Sequence, residues 1–300
     1  TGRLYGSSLN ENGRHQDESQ AVGATVQRAS VDAAVPEMQA KLPHRRQGLD
    51  RRRRHMQVVQ GGWEEMKASR MFSFITRPPY NPVGGKCPYG CVYCWVNEIL
   101  RRYPSLREKY SGELRLFPTE LVRNFATGGY VFACDMLDLL AAPKEIVYTV
   151  ANVMAGNPQC KFLLESKNPR AFLDLGVDWS SNITLGTTIE SNRNYPELSK
   201  SPQQTERLYW MVQVAKARQG KNSLFISIEP VLDFDLDSFL LQLYWIKPWA
   251  VAVGYDNYDW KLPEPPLAKT MQLIMELEKF TTVYRKTLRP AWNEGKESAE

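Results

Sequence analysis

Residues 224–230 read LFISIEP, a short apolar run that ends in a glutamate and a proline. An apolar run of this length is typical of a strand that is buried on both faces, as in a parallel sheet. Similar runs recur along the chain, and stretches with helical periodicity separate them. The repeated order of strand and helix predicts an α/β fold, with a parallel sheet and helices outside it.

Working outward from this run, the same pattern predicts seven strands and seven helices. The strands are 71–76, 130–134, 161–165, 183–189, 224–230, 250–254 and 282–286. The helices are 96–110, 119–125, 143–155, 169–175, 203–218, 236–246 and 266–279. We expect a partial or complete (β/α) barrel of the TIM type, and an open doubly wound sheet is the alternative.

Polar or ionisable residues follow nearly every predicted strand. They are Cys134, Asp135, Glu165, Ser166, Lys167, Thr188, Glu190, Glu229, Tyr255, Asp256, Arg285 and Lys286. Each of them alone is explained as a solvated loop residue. Because the C-terminal ends of barrel strands meet at one mouth, the set as a whole predicts a polar pocket there.

The loop after the first predicted strand, residues 86–95, reads KCPYGCVYCW and contains Cys87, Cys91 and Cys94. A structural zinc site takes four ligands, and no histidine follows residue 55. A disulfide would leave one cysteine over, and a two-cysteine redox motif explains only Cys91 and Cys94. Thiolates also ligate iron–sulfur cubanes, in which three cysteines leave one iron open. Gly90 would let the loop wrap tightly around such a bulky group.

The spacing Cys-x3-Cys-x2-Cys, with Tyr93 before the last cysteine, resembles the radical S-adenosylmethionine (SAM) superfamily. The resemblance implies that the three cysteines hold a [4Fe–4S] cluster and that SAM chelates the fourth iron. It implies reductive cleavage of SAM to methionine and a 5′-deoxyadenosyl radical, which abstracts hydrogen from the substrate. It also implies an external reductant such as flavodoxin or ferredoxin.

Four further patterns, in this order, are similar to the phage-associated radical SAM family of unassigned substrate. They are FACDMLD at 132–138, LESKNP at 164–169, LGTTIE at 185–190 and ISIEPVL at 226–232. The resemblance to the spore photoproduct lyase group of DNA-repair proteins is more distant. Together these resemblances cover about residues 72–292. They identify no substrate, and nucleic acid is one candidate beside a peptide or a small molecule.

The candidate catalytic residues are Cys134 and Lys167. Cys134 would donate a hydrogen atom or form a thiyl radical, and its alternative is a small buried apolar residue. Lys167 would bind a carboxylate or phosphate, and its alternative is a surface lysine. The candidate cofactor-binding residues are Tyr93, Asp135, Ser166, Thr188, Glu190 and Glu229.

Two of these assignments have specific reasons. Many radical SAM proteins have a Gly-Gly-Glu turn after the second strand, whereas this chain has Ala133, Cys134 and Asp135. Asp135 is therefore the residue that we expect at the methionyl amine. Glu190 and Glu229 would orient the SAM ribose or a substrate cation.

Charge and composition divide the chain into a tail and a globular part. Residues 1–60 contain ten Lys and Arg and six Asp and Glu, so most of the net charge of +5 lies there. We expect a disordered basic tail at 1–60, a radical SAM barrel domain at 68–292 and a C-terminal tail at 293–300. The basic tail is possibly not native, because Met56 or Met66 is a candidate start.

Cellular location follows from cysteine usage and hydropathy. Five cysteines, an odd and low number, predict a reducing compartment. No signal peptide is apparent, and Lys247 and Pro248 interrupt the apolar stretch 239–255, so we expect a cytoplasmic protein without membrane contact.

Two other functions remain open from the sequence. A non-catalytic iron–sulfur electron carrier or sensor would bind the cluster but not SAM. A zinc-stabilised nucleic-acid-binding module would use the arginines at 51–54 as a basic arm.

Overall fold

The computed structural model describes residues 72–125 and 128–294. The strands in these ranges are β1 (Val83–Gly84), β2 (Arg115–Leu116), β3 (Gly129–Ala133), β4 (Cys160–Glu165), β5 (Ile183–Thr188), β6 (Leu224–Ile228), β7 (Ala250–Val253) and β8 (Thr282–Arg285). The α-helices are α1 (Trp95–Arg102), α2 (Pro118–Leu121), α3 (Lys144–Ala155), α4 (Ala171–Asp174), α5 (Gln204–Arg218), α6 (Leu236–Ile246) and α7 (Leu267–Leu277). Two short 3₁₀ helices span Pro104–Leu106 and Leu139–Ala141.

Strands β3 to β8 form one sheet, in which every neighbouring pair is parallel and the spatial order follows the chain order. Crossovers between parallel strands are almost always right-handed, so an unreversed order places the helices on one side. The sheet curls into a half-barrel with helices around it. The predicted α/β partial barrel is confirmed, whereas a doubly wound sheet would reverse the strand order.

The main core lies between the outer face of the sheet and the helices. Val131, Phe162, Leu185, Ile226 and Val251 contribute to it from five strands, and all are buried. Val147, Leu208, Phe239 and Leu273 contribute from the long helices α3, α5, α6 and α7. These strand residues alternate with residues that face the concave side, because successive side chains of a strand point to opposite faces.

A second apolar cluster covers the lower part of the concave face. Phe72, Leu163, Phe225, Ala250 and Ala252 form its buried centre. The ring centroids of Phe72 and Phe225 are 4.8 Å apart, and those of Phe74 and Phe225 are 5.4 Å apart. The segment that begins at Phe72 therefore packs into the half-barrel from within.

The first predicted strand, 71–76, is wrong over its described residues. Residues 72–76 form no strand, because their aromatic side chains bury more apolar surface in the concave cluster. Tyr80 takes the place beside β3, in a single parallel bridge to Ala133. Pro78 and Pro79 have no N–H to donate, which limits any longer ladder at this edge.

The other six predicted strands are confirmed to within two residues at each end. Predicted helix 96–110 breaks after Arg102, because Pro104 cannot continue an α-helix. The antiparallel pair of β1 and β2 was not predicted, since two residues per strand carry no periodicity.

Some predictions lie outside the described residues. They are the tail at 1–60 and, apart from Asn293 and Glu294, the tail at 293–300. In the part of the chain that the structure describes, no helix has the length and apolar character needed to cross a membrane.

Candidate functional site

The cysteine loop follows β1 and leads directly into α1. Gly85, at the start of the loop, has a φ of +107°, and a Cβ there would lie 2.3 Å from the backbone oxygen of Glu113. Only glycine fits this close approach. At the other end, the backbone N–H of Cys94 donates to the Cys91 carbonyl at 3.1 Å, and α1 begins at Trp95.

Backbone hydrogen bonds tie this loop to the segment after β5. The Val92 N–H donates to the Leu198 carbonyl at 2.9 Å, and the Lys200 N–H donates to the Tyr89 carbonyl at 2.8 Å. Side chains from the loops after β6 and β7, Leu232 and Leu262, pack against Cys91. The loop thus lies over the C-terminal edge of the sheet, where barrel enzymes have their active sites.

The three thiols have different surroundings. Cys91 is buried, and its Sγ lies 3.0 Å from Ser199 Oγ, whereas Cys87 and Cys94 are partly exposed. Burial raises the pKa of the Cys87 thiol to about 11 and also raises the pKa of Cys94. All five described cysteines are free of disulfides.

The thiols suit a cluster better than a single metal ion. Within 72–125 and 128–294, no three Cys, His, Asp or Glu side chains converge closely enough to hold one ion. In a cubane each cysteine ligates a different iron, so the thiols need not meet at one point. A Cβ built on Gly90, whose φ is +53°, meets no atom within 4 Å, so the loop has open space beside it. The donor set therefore fits a [4Fe–4S] cluster with one iron free of protein thiolate.

A buried ion-pair network anchors Tyr93, which stands between Cys91 and Cys94. Its hydroxyl donates to Glu190 Oε1, which also accepts from Lys167 Nζ at 2.6 Å. Arg207 Nη2 donates to Glu190 Oε2 at 2.8 Å, and Arg207 Nη1 donates to the Thr188 carbonyl. The Lys167 ammonium also lies 5.1 Å from the centre of the Tyr93 ring.

The network keeps Glu190 ionised. Burial on its own would raise the pKa of Glu190, but Arg207, Lys167 and the hydrogen bonds together hold that pKa well below its usual range. The structure therefore brings together three residues that the sequence singled out, Tyr93, Lys167 and Glu190. Their shared carboxylate connects the cysteine loop to the ends of β4 and β5.

Sequence reasoning missed Arg207. It lies on α5 among buried residues that recur at helical spacing, namely Gln204, Leu208, Met211 and Val214. An arginine on the buried face of an amphipathic helix is a signal for a buried acidic partner. That pattern was available, but the identity of the partner was not.

Asp138 is a second missed residue, and it joins the end of β3 to the end of β4. Its carboxylate accepts hydrogen bonds from the Ser166 hydroxyl at 2.8 Å and from the backbone N–H groups of Lys167 and Leu140. Burial raises the pKa of Asp138 in spite of these bonds. The predicted cofactor residue Ser166 thus has its hydroxyl directed at Asp138.

Cys134 and Asp135 follow β3 in a turn. Cys134 is buried and has a φ of +57°, which is uncommon for a residue other than glycine. Burial raises the pKa of its thiol well above the usual range. Asp135 Oδ1 accepts from Asn81 Nδ2 at 2.7 Å, and burial raises the pKa of this carboxyl too.

The concave face carries a further group of ionisable residues above the apolar cluster. Glu165, Glu229 and Lys286 follow inward-facing residues of β4, β6 and β8, and Lys286 Nζ lies 3.9 Å from Glu229 Oε2. Burial raises the pKa of Glu229, whereas the nearby Lys286 acts to lower it. Thr188 lies on the same face, since Leu185 of that strand faces outward.

Tyr255 and Asp256 do not join this group. The Tyr255 hydroxyl lies 2.7 Å from Thr270 Oγ1, so the side chain packs towards α7. Asp256 accepts from the backbone N–H groups of Tyr258 and Trp260. Among the late aromatic residues, Trp249 packs beside the concave cluster, and Tyr244 is exposed on α6.

No protein-family model and no curated protein sequence matches this chain. Three solved structures of similar architecture illustrate the range of distant matches. Spore photoproduct lyase complexed with dinucleoside spore photoproduct has 10% identity and a TM-score of 0.48, with coverage of 69% of this chain and 76% of that chain. A variant of spore photoproduct lyase with bound AdoMet has 11% identity and a TM-score of 0.45, with 67% of this chain covered. SuiB from Streptococcus suis, bound to S-adenosylmethionine, has 8% identity, a TM-score of 0.40 and 69% of this chain covered.

The chain spans 61% of the length of the AdoMet-bound lyase variant and 50% of the length of SAM-bound SuiB. At these identities the similarity is one of architecture.

Proposed function

We propose that this chain is a radical SAM enzyme in which Cys87, Cys91 and Cys94 ligate a [4Fe–4S] cluster. The observation that carries the proposal is the position of a three-cysteine loop over the C-terminal edge of a parallel half-barrel. The loop is held by the segment after β5 and packs against loops after β6 and β7. Its donor set leaves one iron open for a cofactor.

When bound, the cluster would supply the electron that cleaves SAM reductively to methionine and a 5′-deoxyadenosyl radical, which abstracts hydrogen from the substrate. The chain's own residues bind, orient and exclude water. Tyr93 and Glu190 hold the cysteine loop against the sheet. Lys167, partly exposed beside them, presents a cation for the carboxylate of SAM or for an acidic group of the substrate.

The other predicted site residues are assigned around this loop. Asp135 takes the methionyl amine, and Ser166, Thr188 and Glu229 line the approach at the ends of β4, β5 and β6. Cys134 is the candidate hydrogen-atom donor, and its positive φ supports a special role, because strained backbone concentrates at functional sites. An external reductant such as flavodoxin or ferredoxin delivers the electron.

The experiment is an anaerobic assay of the full chain after reconstitution with iron and sulfide. With dithionite and SAM, we expect 5′-deoxyadenosine by chromatography, and we expect Cys91→Ala to abolish it. Cys160→Ala is the matched control, because Cys160 lies at the start of β4, at the opposite end of the sheet.

Other outcomes separate the remaining functions. A brown protein that neither cleaves SAM nor binds it in a titration indicates an electron carrier or sensor. A colourless protein that retains zinc contradicts the proposal. Turnover that survives alanine at each of the three loop cysteines also contradicts it.

A further inference from the structure

Glu165 and Glu229 lie on the concave face of the half-barrel, at the level of its mouth. Leu163 and Phe225 belong to the concave apolar cluster, and residues two or four positions further along a strand share that face. Lys286 follows Tyr284 on the same face of β8. The side chains of Glu229 and Lys167 are 19% and 17% exposed, so the mouth reaches solvent.

Glu165 has an unmet hydrogen-bonding demand. Its Oε1 is buried and has no hydrogen-bond partner among the described residues. A buried polar atom without a partner costs free energy and calls for a specific explanation. The other ionisable groups at the mouth are already engaged, Lys167 with Glu190 and Lys286 with Glu229.

The neighbouring strand is shaped to receive this side chain. A Cβ on Gly186 would lie 2.8 Å from Glu165 Cγ. Glu165 therefore lies across β5 in space that only glycine leaves open. This close fit directs the carboxyl along the concave face, above the apolar cluster.

We propose that Glu165 binds a neutral amide or lactam edge of the substrate, which presents an N–H donor and a carbonyl acceptor side by side. The inference rests on the proposed function, because it takes the mouth of the half-barrel as the reaction site. It names the chemistry of the substrate that the proposed function leaves open.

Charge favours a neutral ligand over a cation. Burial and the neighbouring Glu229 raise the pKa of Glu165 to about 8, although Lys167 and Lys286 act in the opposite direction, and Asp138 adds to the increase. Most Glu165 carboxyls are therefore protonated at pH 7, and a protonated carboxyl has one donor and one acceptor. Glu229 has Lys286 as its counter-ion, so the wall offers no free negative charge to an ammonium group.

The pairing geometry narrows the source of the edge. A trans peptide group has its N–H and carbonyl on opposite sides, so it cannot meet one carboxyl at two points. A ring lactam, as in a nucleobase, and a primary amide, as in a glutamine side chain, both can. These two sources share the recognition chemistry and are distinguished by separate probes.

The test uses equilibrium dialysis of the reconstituted full chain with three probes of similar size: 2-pyridone as the ring lactam, benzamide as the primary amide and benzylamine as the cation. We expect saturable binding of 2-pyridone or benzamide and not of benzylamine. The stronger of the two neutral probes identifies the source of the edge. Binding should weaken as the pH rises above about 8, where Glu165 ionises.

Variants separate a neutral acid from a carboxylate. Glu165→Gln keeps one donor and one acceptor, so it should retain probe binding, whereas Glu165→Ala should weaken binding by about tenfold, the value of one good hydrogen bond. Glu145→Gln, at an exposed position on α3, should change nothing. Preferential binding of benzylamine, loss of binding in Glu165→Gln, or no saturable binding of any probe would overturn the inference.

The same preparations are assayed for 5′-deoxyadenosine. Formation that depends on Cys91 without probe binding refutes the lactam site and leaves the proposed function standing. Probe binding without any SAM cleavage or SAM binding refutes the proposed function, and with it the reading of this edge as a substrate edge.

Discussion

Arg207 and Glu190 form an ion pair with almost no solvent exposure, 1% and 0% of their side chains, with Nη2 and Oε2 at 2.8 Å. Glu190 also accepts from Tyr93, which lies 97 residues earlier in the chain between two cysteines of the loop. A helix outside the barrel thus holds the cysteine loop through one carboxylate. This connection makes the loop part of the fold rather than an appendage of it.

Arg207→Met should destabilise the protein by about 3–5 kcal/mol, because it leaves the Glu190 charge buried with fewer partners. It should also lower the iron bound per chain, since Glu190 no longer holds Tyr93 in one position. Chemical denaturation and iron analysis measure the two effects. Arg101→Met is the control: the Arg101–Glu98 pair is exposed, and its loss should cost about 0–1 kcal/mol. Equal losses in the two variants would contradict the role of Arg207.

Tyr93→Phe should cost about 2 kcal/mol, because it removes a hydrogen bond to a charged, buried acceptor. The iron content should stay close to that of the unmodified chain, since the phenyl ring still fills the space between Cys91 and Cys94. Tyr244→Phe, at a side chain that is 51% exposed, is the matched control and should be near neutral. Loss of the cluster in Tyr93→Phe would mean that the hydroxyl has a direct part in cluster binding.

The pH dependence of stability should carry a contribution from Glu165. Its pKa is raised to about 8 in the folded state, so between about 4.3 and 8 the folded chain binds more protons than the unfolded chain. This contribution is fully present below the unfolded pKa and is lost as the pH rises through the folded pKa. Unfolding free energies at pH 5 and pH 9 should therefore differ less in Glu165→Gln than in the unmodified chain. An unchanged difference would show that Glu165 titrates normally.

Gly186→Ala should disturb the mouth of the half-barrel. The new methyl would lie 2.8 Å from Glu165 Cγ and 3.3 Å from Leu163 Cδ1, so we expect a cost of about 1–3 kcal/mol and weaker binding of the lactam probe. Gly156→Ala is the comparison, because its φ of −69° suits alanine and the substitution should stay within about 1 kcal/mol. Probe binding that survives Gly186→Ala would mean that Glu165 does not need its place across β5.

Much of the fold was predictable from local pattern. Strands β3 to β8 are short apolar runs and the long helices are amphipathic, so each element is encoded by its own residues. Residues 72–76 are the instructive failure. Their apolar pattern is that of a strand, but Phe72 and Phe74 bury more surface in the concave cluster than a place in the sheet would give them.

The candidate site was predictable only in part. The rule that strand ends meet at one mouth identified Lys167, Glu190 and Glu229, and spacing alone identified the cysteine loop. Asp138 and Arg207 were missed because their importance comes from their partners. Asp138 serves the backbone of β4's end, and Arg207 reaches across from α5.

By itself, the sequence determined the types of the elements, their order and the three-cysteine loop, because periodicity and spacing are properties of neighbouring residues. Only the tertiary structure decided which side chains meet: Tyr93 with Glu190, Glu190 with Arg207, and Glu165 with the space above Gly186. Those contacts join residues on different elements. They exist because the sheet curls and brings the ends of its strands together.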